Sequence, residues 1–174
     1  STPAVAVREG SSPRAPLLLG RDGSLFIGAE QGFFVRRGRV VETVGPRERL
    51  EGRVRCFAED AAGDLWVGTD RGLFWRTLDR RTRVFDSRSG LPDSYIYWVG
   101  EDREGFVWAG TNRGAARIAP SGEVRVFTTN DGLGSNECNE DGFLVDSRGR
   151  VWITTDGLSL FQGLPAPRRP VPPL

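Results

Sequence analysis

Asp60-Ala61-Ala62-Gly63-Asp64-Leu65-Trp66-Val67-Gly68-Thr69-Asp70-Arg71-Gly72-Leu73-Phe74-Trp75 is the stretch that decides the fold. It reads as one β-hairpin with turn chemistry on both sides. Asp60 and Gly63 bracket a tight turn, where the Asp carboxylate bonds backbone a few residues on and glycine accepts positive φ. Leu65-Trp66-Val67 is a short apolar strand, and Asp70-Arg71-Gly72 returns the chain into Leu73-Phe74-Trp75.

The same pattern occurs four times. Its opening glycines are Gly23, Gly63, Gly105 and Gly149, spaced 40, 42 and 44 residues apart. Each is followed by an apolar triplet centred on an aromatic: Leu25-Phe26-Ile27, Leu65-Trp66-Val67, Val107-Trp108-Ala109 and Val151-Trp152-Ile153. A second glycine follows nine residues after the first at Gly32, Gly72 and Gly114, and eight after it at Gly157. A period near 40–45 residues with four strand-like runs per copy predicts an all-β fold, a β-propeller with about four blades of four antiparallel strands. In the second and third copies strand A falls at 54–58 and 96–100, B at 65–69 and 107–111, C at 73–77 and 115–118, and D at 83–86 and 124–128. The B strands are apolar on both faces, as expected of a sheet sandwiched between two neighbours. Phe26, Trp66, Trp108 and Trp152 occupy one equivalent position, which inter-blade packing explains better than a stacking platform for sugars or bases.

The repeats fall near 15–45, 53–88, 95–130 and 142–162, within a propeller region of 1–163. The fourth copy has no clear strand D, and residues 2–8 stand where a strand D belongs, so they are expected to complete the last blade. Such sharing closes a ring and hides its edges. The chain either closes with four blades or forms part of a larger ring of about seven. Residues 164–174 hold five prolines and read as an extended linker to a further domain.

Composition narrows the function. A net charge of +1 gives no field that would gather nucleic acid or an anionic membrane surface. All 24 basic residues are arginine, a supply of bidentate donors for carboxylate or sulfate groups. The lack of any methionine, initiator included, suggests a piece of a longer chain, and no apolar run reaches the length of a membrane span. With no histidine there is no Ser-His-Asp or Cys-His pair, and with no lysine there is no phosphate loop. The Glu59-Asp60 and Glu101-Asp102 pairs resemble glycosidase carboxylates but recur at the A–B turns, which marks them as turn residues. Asn136-Glu137-Cys138-Asn139-Glu140-Asp141 offers oxygen ligands without the spacing of a calcium loop, so no metal and no cofactor is expected. Cys56 reads as a small buried hydrophobe, and a bridge to Cys138 is not expected.

The phrase Glu59-Asp60-x-x-Gly63-x-Leu65-Trp66-Val67-Gly68-Thr69-x-x-Gly72-Leu73 returns as Glu101-Asp102-x-x-Gly105-x-Val107-Trp108-Ala109-Gly110-Thr111-x-x-Gly114. It resembles the bacterial two-component regulator propeller repeat, as does Gly90-Leu91-Pro92 before a strand A with its echo at Gly132-Leu133-Gly134-Ser135-Asn136-Glu137. Gly20, where the repeat has Asp, and the shortened fourth turn depart from it. The resemblance implies a periplasmic or extracytoplasmic sensor region of a membrane receptor, joined to the membrane only through the parent chain, with a histidine kinase or diguanylate cyclase output. It also implies carbohydrate fragments as a ligand class and self-association of the parent receptor.

In a four-stranded blade the B–C and D–A connections share one face, which is where recognition is expected. That face would present Asp70, Arg71, Asn112, Arg113 and Asp156, with Asp93, Ser94, Tyr95, Asn136 and Glu137. The B–C and D–A connections are expected to be the longer and more varied pair. Arginine, amide and aromatic groups around a funnel suit a polyhydroxylated or anionic ligand. The sequence therefore predicts a non-enzymatic ligand-sensing module. The alternatives are a protein–protein or dimerisation scaffold and a propeller lyase, the second disfavoured by the lack of histidine.

Overall fold

A computed structural model describes residues 15–162. Fifteen strands run in chain order: β1 Leu17–Leu19, β2 Leu25–Ala29, β3 Gly32–Arg37, β4 Val40–Val44, β5 Val54–Glu59, β6 Leu65–Thr69, β7 Leu73–Arg76, β8 Thr82–Phe85, β9 Ile96–Glu101, β10 Val107–Thr111, β11 Gly114–Ile118, β12 Val124–Phe127, β13 Phe143–Val145, β14 Val151–Thr154 and β15 Leu158–Phe161. They form three four-stranded antiparallel meanders, β1 to β4, β5 to β8 and β9 to β12, and a three-stranded one, β13 to β15. Each predicted A, B, C and D strand is found within a residue or two of its expected bounds. The closing strand expected at 2–8 and the linker at 164–174 lie outside the described residues.

The sheets are held face to face by apolar clusters. Phe26, Phe33, Val35 and Val44 of the first sheet meet Val54, Leu65, Val67 and Phe74 of the second. Trp66, Leu73 and Phe85 carry the second onto Ile96, Val99, Val107 and Ile118 of the third. Trp98, Trp108 and Phe127 carry the third onto Val151, Ile153 and Phe161 of the fourth. Since β6 and β10 are buried along their whole length, both faces of each central sheet are covered.

The A–B turns explain the repeat's Asp and the exception to it. Gly23, Gly63, Gly105 and Gly149 all adopt φ between +77° and +85°, the left-handed region glycine enters without strain. Asp60 Oδ1 accepts the Asp64 N–H at 2.9 Å, and its Oδ2 accepts the Trp66 indole N–H at 2.8 Å. Asp102 does the same for Phe106 and Trp108, at 3.0 and 2.8 Å, and Asp146 for Arg150 and Trp152, at 3.0 Å each. In the first sheet the aromatic is Phe26, which has no N–H to place, and the turn position is Gly20. Asp and Trp thus come and go together. The neighbouring glutamates tie one blade to the one before it: Glu59 Oε2 accepts the Arg21 N–H at 2.8 Å, and Glu101 Oε2 accepts the Ala61 N–H at 2.6 Å. The paired carboxylates are accordingly structural.

Two expectations change. The B–C connections are not long: residues 30–31, 70–72, 112–113 and 155–157 make tight turns, and only the D–A connections are extended. Each of the middle two is closed by its Thr hydroxyl, Thr69 donating to the Gly72 carbonyl at 2.9 Å and Thr111 to that of Gly114 at 2.7 Å. Trp152 is not packed between blades. It shares the outer face of the last sheet with Leu144 and Leu160, which are 60% and 40% exposed, because the described residues contain no sheet beyond it. The outer face of the first sheet is likewise open, with Leu17 and Leu19 65% and 71% exposed beside Leu25, Ile27, Phe34 and Val41. No closed ring is seen among the described residues, and the architecture is that of a partial propeller.

Candidate functional site

The innermost strand of each blade, and the connection leading into it, converge on a groove of about 520 Å³ lined by Ala15, Pro16, Arg53, Val54, Arg55, Tyr97, Glu140 and Asp141. Four of these, Ala15, Arg55, Tyr97 and Asp141, stand eight residues before the four opening glycines. They are one repeat position viewed around an axis. On β5 and β9 this position is where the register shifts: Val54 and Cys56 pair with Thr69 and Gly68, Ile96 and Trp98 with Thr111 and Gly110, and Arg55 and Tyr97 are the extra residues between them.

Arg55 and Tyr97 organise the groove wall. Arg55 places its guanidinium over the Tyr95 ring, 4.6 Å from the centroid, and pairs through Nη2 with Glu140 Oε1. Its Nε is buried and has no hydrogen-bond partner among the described residues, an unusual state for a buried donor. Tyr95 and Tyr97 meet edge to face at 5.0 Å. The Tyr97 hydroxyl donates to Asn112 Oδ1 at 2.7 Å and lies 3.4 Å from Glu137 Oε1. Burial, and then the Glu137 charge, push the Tyr97 phenol above its ordinary value, so it is a donor at neutral pH. At the rim Asp93 Oδ1 accepts the Tyr95 N–H at 2.8 Å, and Asp93 Oδ2 lies 3.7 Å from Arg113 Nε.

Of the residues singled out in the sequence, Tyr95, Asn112, Arg113, Asp93 and Glu137 come together here. Asn136 instead turns into its own loop, where Oδ1 accepts the Thr129 N–H at 2.8 Å. Asp70 holds the Arg53 N–H at 2.9 Å, and Arg71 lies between the first and second blades. Asp156 is exposed in the last B–C turn. Arg55 and Tyr97 stand on strands and not on the loops the sequence pointed to; the distance from the repeat glycines that they share with Asp141 was the available signal. Among the described residues no group of three or more His, Cys, Asp or Glu could hold a metal ion. Both cysteines are free thiols, raised by burial to about 12 for Cys56 and about 11 for Cys138.

The sheets and their inner groove are those of a partial β-propeller. The two-component regulator propeller family matches at residues 49–71 and 90–113. Those two segments carry that repeat, with the turn motifs that mark it. Among solved structures it is similar to the extracellular domain of a hybrid two-component system of B. thetaiotaomicron, 26% identical with a TM-score of 0.74 over 95% of this chain and 23% of that one. The extracellular domain of a one-component system of the same organism is 26% identical with a TM-score of 0.65, over 80% of this chain and 19% of that one. The chain therefore spans about a quarter or less of these relatives. Virginiamycin B lyase of Staphylococcus aureus shares the fold at 17% identity and a TM-score of 0.62, over 87% of this chain and 55% of that one. No curated protein matches the chain. No helix among the described residues is long and apolar enough to cross a membrane.

Proposed function

We propose that the protein is a non-catalytic ligand-sensing propeller module of a bacterial signal-transduction receptor, working outside the cytoplasm. Its ligand is a carbohydrate or similarly polyhydroxylated molecule seated in the axial groove. The observation that carries this reading is the meeting of Arg55, Tyr95, Tyr97 and Asn112 at one wall, with a buried Arg55 Nε–H unpaired. Tyrosine rings supply flat apolar faces for sugar C–H groups, and the guanidinium and amide supply directed donors and acceptors for hydroxyls. The repeat's kinship with extracellular sensor domains points the same way. Titration calorimetry against a panel of neutral and acidic oligosaccharides tests it. Saturable heat that Arg55→Gln and Tyr97→Phe weaken about tenfold, or about 1.4 kcal/mol, supports the assignment. No heat with any sugar, together with concentration-dependent mass, would instead favour a dimerisation scaffold.

A further inference from the structure

We propose a second binding site, for an oxyanion, in the cleft between the first and second blades, with Arg49 and Arg71 as its anchors. It is separate from the axial groove and does not depend on what that groove binds. The cleft encloses about 660 Å³, and its lining includes Arg49, Arg71, Arg83, Arg88, Glu51 and Asp86. Asp86 is already committed: its Oδ2 accepts from Arg88 Nε at 2.9 Å and Nη2 at 2.7 Å, and its Oδ1 accepts the Arg88 N–H. Arg83 lies over the Phe85 ring, 4.5 Å from its centroid, and donates to the Gly122 carbonyl at 3.3 Å. Glu51 is the one other carboxylate on the wall. Among the described residues neither Arg49 nor Arg71 makes an ion pair, so the cleft holds an excess of guanidinium charge.

The backbone at Arg49 is the second observation. Each extended D–A connection opens with a short 3-10 turn that ends in a left-handed residue followed by a buried leucine: Arg49-Leu50, Gly90-Leu91 and Gly132-Leu133. Two copies use glycine there, at φ of 98° and 103°, while the first holds an arginine at φ 65°. A side chain in that region is strained and persists where something favours it. The turn would be easier with glycine, as the chain's own two other copies show, and what arginine adds is a guanidinium at the mouth of the cleft. Arg71 is placed by a matching concession. At Gly52, whose φ is 85°, a Cβ would meet Asp70 Oδ1 at 2.2 Å and the Arg71 Cγ and Cβ at 2.9 and 3.2 Å, so glycine there leaves room for the Asp70-Arg71 turn that carries the guanidinium. Two unpaired forks in a concave site suit a carboxylate or sulfate, each of which accepts paired N–H donors.

Nitrogen-detected NMR of the arginine side chains in the full chain tests this, with sodium sulfate and sodium glucuronate as probes and sodium chloride at equal ionic strength as reference. Saturable shifts of Arg49 and Arg71 beyond those in chloride are expected, and the two arms show whether the tetrahedral or the planar oxyanion is preferred. Arg49→Gly and Arg71→Gln should each weaken the better anion about tenfold. Because Arg49→Gly restores the residue used by the other two turns, it should melt at or above the wild-type temperature, which separates lost binding from lost folding. Absence of a saturable response to either anion at tens of millimolar, or unchanged affinity in Arg49→Gly, overturns the proposal.

Discussion

The link between turn carboxylate and indole can be tested by converting the second blade to the first blade's solution. Asp60 is 8% exposed and Trp66 3%, and the indole N–H has Asp60 Oδ2 as its partner at 2.8 Å. Asp60→Gly leaves that buried donor and the Asp64 N–H unpaired, costing about 1–3 kcal/mol for the indole alone, and removing a side chain adds about 0.5–1 kcal/mol of backbone entropy. A total near 3 kcal/mol is expected. Trp66→Phe loses part of a ring that stacks on Trp75 at 5.0 Å and leaves Asp60 with one donor, about 2 kcal/mol. In the double variant neither an orphan indole N–H nor a half-satisfied carboxylate remains, only the Asp64 N–H still lacks its acceptor, and the pair becomes Gly and Phe as at Gly20 and Phe26. Its loss should fall short of the sum by about 1–2 kcal/mol. Urea denaturation of the four proteins, followed by far-ultraviolet circular dichroism, gives the coupling directly. Strict additivity would refute the idea that Asp is present for the indole.

Further outcomes follow from the packing. Gly110→Ala should destabilise strongly, because its Cβ would lie 2.1 Å from Trp98 Cε2; a midpoint close to wild type in thermal melting would contradict this. Trp108→Ala, at 0% exposure, should cost about 3–5 kcal/mol by chemical denaturation. Trp152→Ala, on an open face, should cost clearly less, and equal costs would mean that the last sheet is covered in solution. Asp22, Asp86 and Asp146 titrate below the ordinary carboxylate value, held there chiefly by the Ser24 backbone N–H, the Arg88 side chain and the Trp152 indole respectively. Their stabilisation is complete above the unfolded value and lost as pH falls through the folded one, so melting temperature should drop below about pH 4. Glu101, raised by burial, has the opposite sign and offsets part of this drop. Asp146→Asn should flatten the acid limb. Finally, Cys138, buried and with its thiol raised to about 11, should react with a disulfide reagent at pH 8 only as fast as the protein opens; prompt labelling of it in native protein would contradict its burial.

Most of the blade was legible because its signals are local. A left-handed glycine, an apolar triplet and, in all but the first copy, a Thr-x-x-Gly turn each fix a few backbone angles, and four copies in register leave little choice of fold. The Asp–Trp coupling was also in the sequence, since Gly20 accompanies Phe26 while Asp60, Asp102 and Asp146 accompany tryptophans, but the reason appears only once the indole N–H is seen on the carboxylate. What could not be read is what depends on neighbours. Trp152 carries the same motif as Trp108, yet one is half-buried and the other sealed, because burial of that position is supplied by the next sheet and not by its own. Arg49 was passed over for a related reason: its oddity is visible only when three turns are superposed and two show glycine.

The groove depends on the same arrangement of sheets. Ala15 and Pro16 precede β1, Arg55 comes from β5, Tyr97 with its partner Asn112 from β9 and the β10–β11 turn, and Glu140 from the connection into β13, so its wall is drawn from all four blades. The spacing of these side chains is then the spacing of the sheets, set by the apolar clusters between them and by the Glu59 and Glu101 ties at the opposite ends of the inner strands. A ligand bridging Arg55 and Tyr97 would act across the interface between the second and third sheets, where Trp66 packs. Weakening that interface should therefore reduce binding even though Trp66 lines neither the groove nor the cleft. A Trp66→Phe variant that folds but binds the groove's ligand with unchanged affinity would show instead that the strands A hold the site without help from the packing behind them.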